Sequence, residues 1–266
     1  MQRVDLKLID HEAKTGGVCP YIKPNITSDS VFYIDGEPVG FYMRKMPENM
    51  LKLADISNSE FRSKRVPKSK MNRSDTMKAF QDGLSWKDAA KFGVSQYSTI
   101  LGSTPPRPHM RRPYGSISSV HANPDTKMFV KSMLILARES ENLIQQILPK
   151  QYHSQKELMS EVPEKWRFGE LFTSSISNYN ISAGFHRDNG NVKGAVNVII
   201  CKRNNAIGGD LHIPDYDATI DQVDGSILVY PAWRNVHGVT PIEPTHEGGY
   251  RNTFIFYALK AFKNLE

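Results

Sequence analysis

Along the C-terminal part of the chain, apolar residues come in short runs broken by glycine, proline or charge. Gly208-Gly209-Asp210-Leu211-His212-Ile213-Pro214 is followed by Val223-Asp224-Gly225-Ser226-Ile227-Leu228-Val229-Tyr230. Val236-His237-Gly238-Val239 comes next, and Tyr250-Arg251-Asn252-Thr253-Phe254-Ile255-Phe256-Tyr257 closes the series. Short apolar strands with turn residues between them and polar residues at their ends predict a jelly-roll barrel of the cupin type. Further upstream, Val31-Phe32-Tyr33-Ile34 and Val39-Gly40-Phe41-Tyr42-Met43 flank Asp35-Gly36, the signature of a β-hairpin. From Lys127 to Leu148 the apolar positions are Phe129, Met133, Leu136, Leu143, Ile144 and Ile147, at the spacing of an amphipathic helix that Pro149 ends. The pattern predicts an α+β fold: a double-stranded β-helix core, residues 126–266, with bracing helices and a mixed N-terminal extension, residues 1–125, packed onto it as one compact domain. No internal repeat or low-complexity tract interrupts it.

Length and composition fit that picture. A chain of 266 residues buries a full core. No segment approaches the roughly 20 consecutive apolar residues of a membrane helix. The first ten residues alternate charge with apolar side chains and lack the apolar stretch of a signal peptide, so a soluble, intracellular protein without membrane contact is expected. Cys19 and Cys201 are the only cysteines. Two distant thiols make neither a disulfide framework nor a zinc cluster, and buried free thiols are expected.

The net charge of +6 is unevenly distributed. Residues 1–125 carry 19 Lys and Arg against 13 Asp and Glu, whereas residues 126–266 carry 15 of each. The excess is densest at Arg62, Lys64, Arg65, Lys68, Lys70 and Arg73, with no acidic residue among them. Arg107, Arg111 and Arg112 form a second group in a Pro-rich stretch, residues 103–113, that reads as a linker or a substrate-facing loop. Basic, extended segments suit phosphate contacts along a nucleic-acid backbone. The plain alternative is a solvated loop.

The chemistry lies in His186 and Asp188, His237 49 positions later, and Arg251 a further 14 on. Alternate residues of a strand point to the same side, so His186 and Asp188 can reach one ion together. With His237 they form the two-histidine, one-carboxylate set of non-haem Fe(II) oxygenases, which leaves three octahedral positions open. Arg251 is then the cation that holds a cosubstrate's far carboxylate. The plain alternative makes these ordinary strand histidines and a surface arginine.

The stretch 177–259 resembles the catalytic core of 2-oxoglutarate- and Fe(II)-dependent dioxygenases. Within them it is most similar to the TET/JBP branch, which oxidises the 5-methyl group of pyrimidines in nucleic acid. The matching residues are His186-Arg187-Asp188, Gly208-Gly209-Asp210-Leu211, Asp224-Gly225, His237-Gly238 and Arg251. The resemblance implies Fe(II), 2-oxoglutarate and O2 as cofactors, with ascorbate helping to keep the iron reduced. It assigns His186, Asp188 and His237 to the metal and catalysis. Arg251 and Thr253, two residues apart on one side of a strand, fall to the 5-carboxylate of 2-oxoglutarate. The partner implied is DNA, as a duplex whose target base is extruded at a cost of roughly a few kcal/mol. Tyr179, Phe185, Asn189, Tyr216 and Trp233 flank the motifs as candidate pocket walls, and Asn189 and Asn197 as readers of a base edge or pairs across the sheet. The alternatives are a prolyl-type protein hydroxylase with the same iron chemistry and a non-catalytic jelly-roll binding module.

Overall fold

The computed structural model describes residues 1–71 and 95–265. The strands are β1 (Gln2–Asp5), β2 (Ser30–Ile34), β3 (Glu37–Met43), β4 (Ser69–Met71), β5 (Gln96–Thr104), β6 (Ser116–Ile117), β7 (Ser174–Tyr179) and β8 (Ala183–His186). They continue with β9 (Asn197–Asn204), β10 (Ala206–Gly208), β11 (Leu211–Ile213), β12 (Ala218–Ile220), β13 (Ile227–Tyr230), β14 (His237–Val239), β15 (Ile242–Pro244) and β16 (Tyr250–Tyr257). The helices are α1 (Glu48–Arg62), α2 (Ser119–Ala122), α3 (Lys127–Ile147) and α4 (Pro149–Ser160).

Two sheets face each other as the apolar pattern predicts. The large one runs β1-β2-β3-β13-β9-β16-β7-β5-β4, and the small one β12-β11-β14-β8. Side chains alternate across the large sheet, and this sets up two separate cores. Phe41, Val198, Ile200, Val229, Phe254 and Phe256 face the helices and pack with Phe61, Phe129, Met133 and Leu136. Tyr42, Ile199, Leu228 and Tyr230 face the small sheet and pack with Leu211, Ile213 and Ile220. The space between the sheets is the barrel interior, and it is where the site lies.

Local sequence signals shape the elements around it. Asp35 (φ 52°) and Gly36 (φ 82°) make the hairpin turn between β2 and β3, both in the left-handed region that a two-residue turn of this hand demands. The predicted helix is α3. Its Phe129, Met133, Leu136 and Ile144 are buried, Leu143 and Ile147 flank the same core, and Pro149 opens α4. The α1 stripe of Met50, Ala54, Ser57, Asn58 and Phe61 lies against α3 and the sheet, with Ser57 Oγ donating to Ser132 Oγ at 2.8 Å.

The first 125 residues do more than pack onto the barrel. β3 pairs with β13 (Leu228↔Tyr42), and β5 pairs with β7 (Ile100↔Ile176), so N-terminal strands extend the large sheet on both sides of the C-terminal ones. The segment before β2 runs along the β8 edge of the small sheet, where Gly16 N–H donates to Phe185 O at 2.7 Å and Phe185 N–H to Gly17 O at 2.8 Å, and its Cys19 packs against Gly238 on the face opposite His237. Both cysteines are free and buried, and burial pushes the Cys19 thiol up to about 12. No described helix is long and apolar enough to cross a membrane.

Candidate active site

β8 and β14 are antiparallel neighbours in the small sheet, with His186 directly opposite His237. Their rings lie 4.3 Å apart between centroids. Asp188 follows β8 by two residues, on the His186 side of the chain. Donor atoms of His186, Asp188 and His237 lie within 4.8 Å of one another. Each imidazole is oriented by its own backbone. His186 Nδ1 donates to Gly184 O at 2.8 Å and His237 Nδ1 to Asn235 O at 3.1 Å, which leaves both Nε2 atoms free for a metal. Burial keeps the His237 ring neutral, with its pKa pushed down to about 3, and a neutral ring is what a metal needs.

The carboxylate is held just as firmly. Asp188 Oδ2 accepts from Asn197 Nδ2 at 3.1 Å and Asn191 Nδ2 at 3.3 Å, and Asn191 Nδ2 also donates to Asn197 Oδ1 at 2.9 Å. Oδ1 is left beside His186 Nε2, 3.6 Å away. Burial raises the Asp188 pKa, while His186 and the two amides draw it back. Tyr230 meets the His237 ring edge-on at 5.5 Å, and its buried hydroxyl has no hydrogen-bond partner among the described residues. His237 is buried whereas His186 and Asp188 are partly open, so approach to the centre is from their side.

Along β16, Tyr250, Asn252, Phe254 and Phe256 face the helices, which puts Arg251, Thr253 and Tyr257 in the barrel. Arg251 is 3% exposed and its Nε has no hydrogen-bond partner among the described residues. It lies beside Cys201, Arg203 and Asp210, and burial lowers its pKa. Gly209 (φ +74°) lets the backbone pass flat against it: a Cβ there would stand 2.3 Å from Arg251 Cδ. A buried guanidinium with an unmatched donor has the chemistry that suits a carboxylate. Thr253 Oγ1 is buried nearby and makes one long contact, 3.5 Å, to Asn178 O.

A family model described as the oxygenase domain of the 2OGFeDO superfamily, Tet_JBP, matches residues 107–260, more than half of the chain. The chain belongs to the Tet_JBP family. It is therefore a 2-oxoglutarate-dependent dioxygenase whose cofactors are Fe(II) and 2-oxoglutarate, and the donor set and the buried arginine slot suit them. Among solved structures, this Tet_JBP oxygenase is similar in fold to NgTET1, solved in complex with 5mC DNA. The TM-score is 0.57 at 12% identity, covering 94% of this chain and 84% of that one. OsALKBH1 gives a TM-score of 0.44 at 13% identity, covering 84% of this chain and 97% of that one. An oxidoreductase of the 2OG-Fe(II) oxygenase family from Burkholderia pseudomallei gives 0.43 at 11%, covering 83% and 88%. No curated protein matches the chain.

The flanking residues scatter. Tyr179 faces the helix side of the large sheet, stacked on Tyr250 at 5.4 Å and on Phe61 at 6.2 Å, and so lies away from the barrel interior. Phe185, next to His186, points to the opposite face and is buried beneath Gly17 and beside Gly238. Tyr216 packs at the edge of the inter-sheet core, and Trp233 donates its Nε1 to Ala195 O at 2.9 Å. Asn189 is exposed on the turn after Asp188. Asn197 holds Asp188 in place of any base edge.

The basic residues also divide. Lys68 Nζ donates to Phe61 O and Ser63 O, both at 2.6 Å, and to Val66 O at 3.1 Å. It thereby caps the C-terminal carbonyls of α1 and is no free phosphate contact. Arg65 pairs with Glu60 at 2.6 Å, and Arg62 lies 4.2 Å over the Tyr250 ring. Lys64, Lys70, Arg111 and Arg112 are exposed and Arg107 is partly so, while Arg73 lies outside the described residues. Sequence reasoning alone misses Asn191, Tyr230 and Tyr257. Strand alternation from Leu228 and Arg251 points both tyrosines inward, and Asn191 is one turn beyond Asp188.

Proposed function

We propose that this Tet_JBP oxygenase hydroxylates the 5-methyl group of a pyrimidine, 5-methylcytosine or thymine, in DNA. His186, Asp188 and His237 hold the iron, and Arg251 with Thr253 takes the 5-carboxylate of 2-oxoglutarate. When bound, the iron and 2-oxoglutarate supply the oxidising power that turns an inert C–H bond into an alcohol, with succinate and carbon dioxide as co-products.

The chain's own residues orient the reaction. Gly184 O and Asn235 O fix the two imidazoles, Asn191 and Asn197 turn one carboxylate oxygen inward, and burial keeps water from Arg251. The observation that carries the DNA reading is the position of Tyr257. This half-buried residue lies within electrostatic reach of both Asp188 and Arg107, which supports a basic Pro-rich loop near the mouth of the metal site. Cations at that mouth suit the phosphates of a strand whose base has been turned out toward the iron. A fold shared with a protein solved on 5mC DNA supports the same reading. Asn189, which is exposed, and Trp233, which is half-buried, are the pocket-wall candidates that this reading retains.

Succinate release tests the reading. DNA containing 5-methylcytosine or thymine is expected to stimulate it, and a proline-containing peptide is not. Stimulation by the peptide and none by DNA would move the enzyme to the protein hydroxylases.

A further inference from the structure

Gln222 follows β12 by two residues and has no exposed surface. Its backbone is fully engaged. The N–H donates to Asp210 Oδ1 at 2.9 Å, and the carbonyl accepts from Arg203 Nη1 at 2.9 Å and from Cys201 Sγ at 3.2 Å. Its carboxamide is not engaged: Nε2 and Oε1 both lack a hydrogen-bond partner among the described residues. A buried amide with a free donor and a free acceptor destabilises the fold unless something pairs with it.

What surrounds Gln222 identifies that partner. Cys201, Arg203 and Asp210, the residues that hold its backbone, are also the residues beside the Arg251 guanidinium. Arg203 and Arg251 are opposite each other in the β9–β16 pair, and Cys201 is opposite Thr253. Two further donors near this point, Arg251 Nε and Arg203 Nε, are unmatched among the described residues. Arg203 is otherwise tied to the carbonyls of Gly208 and Gln222. Two buried or half-buried guanidiniums lie near Asp210 and Asp224, and Asp224 is already paired with Lys202, so the cluster carries surplus donors. An anion with several acceptor oxygens satisfies all of them at once.

We propose that Gln222 is a further cosubstrate-binding residue, its carboxamide donating to the distal carboxylate of 2-oxoglutarate alongside Arg251. This rests on the assignment of Arg251 to that carboxylate. Gln222 contributes discrimination as well as affinity: a 2-oxo acid without a distal carboxylate leaves the amide and both guanidiniums unmatched.

The test is binding of 2-oxoglutarate to the full-length protein loaded with Mn(II) without oxygen, by calorimetry and by thermal unfolding with and without 2-oxoglutarate. Wild type, Gln222→Leu, Gln222→Glu and Arg251→Gln are compared. Gln222→Leu is expected to unfold, without 2-oxoglutarate, at or above the wild-type temperature, because an unmatched buried amide is gone. It is expected to bind 2-oxoglutarate about ten-fold to a hundred-fold more weakly, the loss of one charge-assisted hydrogen bond. Gln222→Glu, which retains the polar shape, places a carboxylate among the arginines and is expected to lose 2-oxoglutarate stabilisation altogether. Wild-type affinity in either Gln222 variant, with Arg251→Gln weakened, overturns the role of Gln222 and leaves that of Arg251 standing. Wild-type affinity in Arg251→Gln, or no binding by the wild type, overturns both.

Discussion

Asn197 Nδ2 donates to Asp188 Oδ2 at 3.1 Å, and the same side chain's Oδ1 accepts from Asn191 Nδ2 at 2.9 Å. One oxygen of the only carboxylate in the triad is thus engaged, and the other is presented to the metal side. Groups that orient a ligand typically account for 10–100-fold in metal affinity. Asn197→Leu is therefore expected to weaken anaerobic Fe(II) binding by about that factor while the protein stays folded. Calorimetric titration decides it, and wild-type affinity would mean that the carboxylate orients itself.

Gly209→Ala tests the arginine slot. The added methyl would stand 2.3 Å from Arg251 Cδ and 2.6 Å from Nε, in a buried setting and at a backbone angle that alanine rarely adopts. Overpacking of this kind costs about 1–3 kcal/mol, and here it displaces the guanidinium. The KM for 2-oxoglutarate should rise at least ten-fold, with the melting temperature lowered. A melting temperature that falls alone would show that Arg251 does not set the cosubstrate site.

Glu141 gives the fold a pH dependence remote from the iron. Its Oε1 accepts from the backbone N–H groups of Glu170 and Leu171 at 2.7 and 2.9 Å, yet burial raises its pKa from 4.5 to about 7. Below pH 4.5 the group is protonated in both folded and unfolded chains and costs nothing. Between 4.5 and 7 the unfolded chain ionises first, so stability falls as pH rises, by up to about 1.4 kcal/mol per unit. Above 7 the loss is complete. Glu141→Gln keeps the acceptor and removes the charge, so denaturant titrations should show a flatter profile and a more stable variant at pH 8. Superimposable profiles would exclude a raised Glu141 pKa.

The basic residues separate by role. Replacing Arg107, Arg111 and Arg112 with alanine should lower the salt dependence of DNA affinity, by about 0.9 in log–log slope for each phosphate no longer neutralised. Lys68→Ala should leave that slope unchanged and lower the melting temperature, because it uncaps α1. Fluorescence anisotropy across a salt series distinguishes them, and equal slopes in all variants would remove the Pro-rich loop from the DNA interface.

Much of the site is legible in the sequence because it is local. A His-x-Asp pair shares one strand side whatever the rest of the chain does, and Asp35-Gly36 encodes its turn in two residues. Strand alternation also suffices to exclude Phe185, the immediate neighbour of His186. Tyr179 cannot be placed this way, since its face depends on the register β7 takes against β16, Asn252↔Tyr179, across 73 residues. The pairing of Met43 with Ile227 is likewise set by the folded sheet, which is why the N-terminal half reads as an extension and proves to be part of the barrel wall. Lys68 reads as one cation in a basic run because nothing local shows that three carbonyls converge on it.

The central claim is oxidation of a pyrimidine methyl group at the His186–Asp188–His237 centre. The direct measurement reconstitutes the protein anaerobically with Fe(II) and 2-oxoglutarate, admits air with DNA containing 5-methylcytosine and thymine, and weighs the digested nucleosides by mass spectrometry. One pyrimidine is expected to gain the mass of one oxygen with the wild type and with neither His186→Ala nor Asp188→Ala, each of which stays folded. Unchanged nucleosides from an enzyme that still makes succinate, or an oxidised base from either variant, would contradict the account.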